Sequence, residues 1–216
     1  MATLEGVHPR RTSVIEGSGT LIEGIGGAAT VVLAILGLTG VMPHELAAIA
    51  VIVFGVALGA EGGTIATRFA RLLARTNAGE VEVADLGGAM SVELLGGATG
   101  VLLGLLAVLH IAPMHLVPIA VVVFGSSLLM GHLASSRVSA LAFDSNPDAH
   151  AVAREAALAA ASSQMLVGIG AVTLGIIAIV GVEPMTLTLA ALLALGASLV
   201  LSGTTVGSTM MSFVAR

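Results

Sequence analysis

A chain of 216 residues with 56 % hydrophobic residues, 10 % charged residues and a formal net charge of −5 carries too little charge for a soluble domain, where about a quarter of residues are charged. Its mean hydropathy of +1.08 makes a lipid bilayer the natural solvent for most of its surface. The lack of cysteine excludes disulfides, thiolate metal sites and cysteine nucleophiles, and no nucleic-acid partner is expected.

Residues 1–15 read as a cytoplasmic tail ending near the Arg10-Arg11 pair. Glu16 and Glu23 fall where the apolar core of an export signal would have to lie, so the first apolar segment is expected to be an uncleaved helix. Residues 24–43 carry no charge or histidine, and residues 156–182 and 184–215 no charge. A helix needs roughly 20 such residues to cross a hydrocarbon core of about 30 Å.

The segment Ile49-Ala-Val-Ile-Val-Phe-Gly55 returns as Ile119-Ala-Val-Val-Val-Phe-Gly125, and Pro43, Pro113 and Pro184 are spaced by 70 and 71 residues. A fixed period marks a structural repeat. Glu23 recurs as Glu93 and Gly26-Gly27-Ala28 as Gly96-Gly97-Ala98; a third, more diverged copy carries Gly181, Val182, Pro184 and Gly196 in register with Gly40, Val41, Pro43 and Gly55. Apolar runs of this length satisfy their backbone in lipid only as helices.

The expected fold is therefore an all-α integral membrane protein of six spans in three tandem helical hairpins: 16–75, 86–142 and 152–216, with linkers at 76–85 and 143–151. Its helices are expected at about 16–41, 44–72, 86–110, 114–141, 152–181 and 185–213, with turns at Pro43, Pro113 and Pro184. All eight basic residues are arginines and lie at the termini, the linkers or the helix ends beside them, which puts both termini in the cytoplasm, most simply at the cell (inner) membrane. Two spans per repeat give consecutive repeats the same orientation, and a pseudo-threefold packing about the membrane normal follows as the economical arrangement.

Glu23 and Glu93 occupy equivalent positions 20 residues before their prolines, and Gln164 holds the third. Glu61, with Gly131 and Ser202 as its equivalents and His132 one step beyond, falls at about the same depth on the paired helix. Glu16, two turns before Glu23, extends the same face. An ionisable group inside a membrane normally faces a bundle interior or a wet cavity. These residues are thus expected to form one polar layer near the cytoplasmic side that concentrates or relays cations, against the alternative that the glutamates cap helices, pair with Arg68 or Arg137, or meet headgroups. Carboxylates with one imidazole also suit a divalent ion, yet no Glu-x-x-His or His-Glu-x-x-His spacing occurs, so a metal site stays open and no cofactor is expected.

His44, His110 and His115 flank the first two proline turns and read as interfacial anchors in a chain without Trp or Tyr; Met130, Met165, Met185, Met210 and Met211 read as apolar filler. Gly55, Gly59 and Gly63, like Gly96, Gly100 and Gly104, repeat every fourth residue and mark faces for close helix packing. No phosphate-cradling loop, nucleophile elbow or Ser/His/Asp triad is present, so an enzyme is not favoured. Two functions remain: a pore or transporter subunit for protons or small cations, and a scaffold or accessory subunit that packs into a homo-oligomer or larger membrane complex.

Overall fold

The computed structural model describes the backbone of residues 10–73, 80–142 and 151–214, and the side chains of residues 22–63, 92–131 and 163–202. Residues 1–9, 74–79, 143–150 and 215–216 lie outside the described residues. Six helices make up the described chain: α1 (Arg10–Leu38), α2 (Pro43–Leu73), α3 (Glu80–Val108), α4 (Pro113–Ala142), α5 (Ala151–Ile179) and α6 (Pro184–Val214). α1 and α3 already run as helix from Arg10 and Glu80, 6 residues before the starts that the sequence predicts.

Among the described residues three helical stretches are long and apolar enough to cross a membrane: Pro43–Gly63, Pro113–Gly131 and Pro184–Ser202. The apolar stretches described in α1, α3 and α5, Ile22–Leu38, Val92–Val108 and Ser163–Ile179, are shorter. Of the six spans that the sequence reading expects, three are thus clear among the described residues.

The turns share one construction. The Ile111 N–H bonds the Leu106 carbonyl and the His110 N–H the Ala107 carbonyl, both at 3.0 Å, the paired closure of a Schellman motif. Val182 to Ile177 at 3.4 Å and Gly181 to Ala178 at 3.0 Å repeat it after α5, and Gly40 to Gly37 at 3.0 Å supplies one of the two bonds after α1. The closing residue has φ of 87° at Gly40, 61° at His110 and 98° at Gly181. Two residues on, the carbonyls of Met42, Ala112 and Glu183 accept the first bonds of α2, α4 and α6 from Leu46, Leu116 and Leu187, and proline follows at the first helical position, where no N–H is missed.

His110 carries a side chain in a slot that the other two turns give to glycine. Since the left-handed conformation costs an L-residue about 1–2 kcal/mol, His110→Gly is expected to raise stability by about 0.5–1 kcal/mol after the extra freedom of the unfolded chain is subtracted. Thermal unfolding in detergent would show this as a higher midpoint.

α2, α4 and α6 touch one another pairwise, while α1 lies against α2 and α6, α3 against α2 and α4, and α5 against α4 and α6. The first and last helices thus close the assembly into a ring around an inner trio. On the inner helices the buried seam runs Ala47, Val51, Phe54, Leu58 in α2, Val117, Val121, Phe124, Leu128 in α4, and Thr188, Leu192, Leu195, Leu199 in α6. Its spacing of four, three and four residues is that of a coiled-coil seam. Phe54 and Phe124 meet at a centroid distance of 4.7 Å, and both are 0 % exposed with Leu195.

Among the described residues the outer helices bury a narrow stripe: Glu23, Gly27, Thr30, Ala34, Gly37 in α1, Gly96, Gly97, Gly100, Gly104, Ala107 in α3, and Gly168, Ala171, Gly175, Ala178 in α5. Outward they expose large apolar residues such as Ile25, Leu102 and Leu166, as a lipid-facing surface does. Small residues on the buried stripe let the backbones approach closely. A Cβ placed on Gly27 would stand 2.8 Å from the Gly196 carbonyl oxygen, on Gly55 2.8 Å from that of Gly97, and on Gly125 2.7 Å from that of Gly168. One glycine pair therefore closes each of the contacts α1·α6, α2·α3 and α4·α5.

Candidate functional site

Buried hydroxyls along the bundle are satisfied locally. Thr30 donates to the Gly26 carbonyl at 2.8 Å, Ser127 to Val123 at 2.9 Å, Thr188 to Pro184 at 2.5 Å and Ser198 to Leu195 at 2.8 Å. Such bonds back to the preceding turn satisfy the one proton each hydroxyl has to donate.

The exception lies at the end of the inner helices farthest from the proline turns. Glu23 of α1 is 7 % exposed, and the Ser202 hydroxyl of α6 approaches its Oε1 at 2.5 Å. The same hydroxyl lies 3.1 Å from the Ser198 and Leu199 carbonyls. A hydroxyl has one proton to donate, and a carboxylate is the strongest of the three acceptors, so the proton is directed at Glu23 across the α1·α6 contact.

Glu61 of α2 is half-buried and lies within electrostatic range of both Glu23 and Glu93. Glu93 of α3 is within range of Glu23 as well and rests its carboxyl against Gly131 of α4, where any Cβ would collide with it. Glycine at 131 thus makes the room that Glu93 occupies. Burial drives the local sequence to this end: Phe54 and Leu58 are seated in the core, and Glu61 follows Leu58 on the same seam.

The structure accordingly brings Glu23, Glu61, Glu93 and Ser202 together. Gln164 sits half-buried at the matching register on α5. Glu16 and His132 belong to α1 and α4, but their side chains lie outside the described ones. No group of three His, Cys, Asp or Glu side chains among the described residues is arranged to hold a metal ion.

Of the glycines predicted to pack, Gly55, Gly96, Gly100 and Gly104 stand against neighbouring atoms: a Cβ on Gly96 would strike Ser127, on Gly100 the Phe124 ring, and on Gly104 the Ile52 side chain at 2.6 Å. Gly59 contributes backbone, its nitrogen 2.6 Å from a Cβ placed on Gly97, while a Cβ on Gly59 itself or on Gly63 would meet nothing within 4 Å. Gly27, Gly97, Gly125, Gly168 and Gly196 were not singled out by four-residue spacing, although carrying Gly27 and Gly55 forward by the repeat period reaches all of them. No protein-family model, no curated protein and no solved structure matches this chain.

Proposed function

We propose that the chain is a membrane transporter or pore subunit for protons or small cations, built from three helical hairpins about a pseudo-threefold axis, with six spans and both termini cytoplasmic in the cell membrane. The observation that carries this reading is the convergence of Glu23, Glu61 and Glu93 at one end of the bundle. Like charges held close in a medium of low dielectric repel strongly, and a proton or small cation among them relieves the repulsion. Such a group is costly in a membrane and marks ion pathways in membrane proteins generally.

Recurrence of the buried positions at 70 and 71 residues, together with the three equivalent glycine contacts, supports the threefold arrangement. In that arrangement positions 23, 93 and 164 alternate with positions 61, 131 and 202 around the axis, so Glu61 stands between Glu23 and Glu93. Phe54, Phe124 and Leu195 fill the axis beyond this layer. Ion movement would then require the inner helices to part, as in a gated carrier rather than an open channel.

The same filled axis and the apolar exterior support a second reading, a scaffold or accessory subunit of a homo-oligomer or larger membrane complex. Ion flux in proteoliposomes under imposed proton, sodium and potassium gradients separates the two. Glu23→Gln/Glu93→Gln is expected to abolish wild-type flux while the protein stays folded. Absence of wild-type flux under every gradient, with assembly intact, would leave the scaffold.

A further inference from the structure

The axial seam does not end on carbon at the proline turns. Three residues before Ala47, Val117 and Thr188, the next layer consists of His44, Met114 and Met185, each directly after the proline that opens its helix. His44 Nε2 lies 3.3 Å from Met114 Sδ although the two are 70 residues apart. Met185 packs on the buried core, on the helix that touches both of the others.

We propose that His44, Met114 and Met185 form a binding site for a soft monovalent cation of the Cu(I) class. The site lies at the opposite end of α2 from Glu61 and does not depend on the reading of the acidic layer. Thioether sulfur is a soft, neutral donor that selects Cu(I) over hard cations, and imidazole completes such a set. Nitrogen and sulfur donors that bind a d10 ion at about 2.0–2.3 Å stand roughly 3.3–3.8 Å apart around it, which is the separation seen between His44 and Met114. Two adaptable methionines supply the remaining adjustment.

Charge and access agree with this assignment. Helix N-termini repel a cation, but Glu45 follows His44 in the first turn of α2 and Glu183 immediately precedes α6, so two carboxylates offset that repulsion. Met114, in the first turn of α4, is 48 % exposed, so the pair is not sealed in the core. With its proton on Nε2 the His44 ring donates a weak hydrogen bond to the Met114 sulfur; with its proton on Nδ1 the Nε2 lone pair is turned to the same place and is free to bind an ion.

The test uses the full chain in detergent, labelled with ¹³C at the methionine methyls and titrated with Ag(I), a redox-silent probe, in chloride-free buffer. The methyl signals of Met114 and Met185, assigned through Met114→Leu and Met185→Leu, are expected to shift together and saturate at about one ion per chain. His44→Ala, or Met114→Leu with Met185→Leu, is expected to weaken binding roughly tenfold or more, while Glu23→Gln/Glu93→Gln leaves it unchanged. Met to Leu conserves volume and keeps the fold; the wild-type methyl shifts decide the matter independently of any variant. Failure of Ag(I) to shift these two signals, shifts at other methionines alone, or wild-type affinity in the folded double Leu variant would each overturn the site.

Discussion

Gly97→Leu is expected to abolish the folded bundle, with a loss of more than about 3 kcal/mol seen as failure to resist unfolding when a denaturing detergent is titrated into micelles. A Cβ at residue 97 would stand 2.6 Å from the Gly55 carbonyl oxygen, 2.6 Å from the Gly59 nitrogen and 2.9 Å from the Gly59 Cα. All three are backbone atoms of α2, so no side chain can rotate away, and α2 and α3 must separate along their length. In lipid little hydrophobic force opposes that separation, because helix association rests on close van der Waals contact. Gly24→Ala is the matched control: nothing lies within 4 Å of its Cβ direction, and a helix-interior Gly to Ala change is expected to stabilise by up to about 1 kcal/mol. Wild-type stability in the Gly97 variant would mean that α2 and α3 do not meet through these glycines.

The second large effect is expected at the axis. Phe124→Ala should cost about 3–5 kcal/mol, the range for deleting a fully buried aromatic ring. Phe124 is 0 % exposed, stacks obliquely on Phe54 and occupies the space above Gly100. Phe124→Leu should be far milder, because the equivalent residue of α6, Leu195, fills the same layer with 0 % exposure. Gly100→Ala drives a methyl group into the Phe124 ring, whereas α5 and α6 carry Ala171 and Leu195 at the matching positions. Gly100→Ala should therefore destabilise alone and be rescued by Phe124→Leu, a coupling of about 1 kcal/mol or more in a double-mutant cycle. Independent, additive effects would show that Gly100 and Phe124 are not in contact.

The turns were legible because Pro43, Pro113 and Pro184 stand at spacings of 70 and 71 in the sequence, and prolines do their work locally. Pro43, Pro113 and Pro184 open helices through their own ring geometry, so the turns could be placed without any knowledge of packing. The depth of Glu23, Glu61 and Glu93 followed from helical rise alone. Their convergence did not, because it depends on which helices are neighbours. Ser202 is 179 residues from the Glu23 carboxylate it bonds, and only the α1·α6 contact brings them together.

Glycine shows the same division in finer detail. Four-residue spacing singled out Gly59 and Gly63 along with Gly55, yet a Cβ has open space at 59 and 63 and none at 55. Spacing along one helix reports a face, but the partner helix decides which part of that face is used.

By itself the sequence determined the helical class, the apolar character of the helices and the proline turns, since hydropathy and proline chemistry are properties of the chain taken a few residues at a time. Only the tertiary structure decided that α2, α4 and α6 form a filled core, that the acids lie within electrostatic range of one another at one end of it, and that His44 faces Met114 at the other. Those outcomes depend on the closest approach between helices far apart in sequence, which the bare backbone of a glycine permits and a single added methyl group forbids.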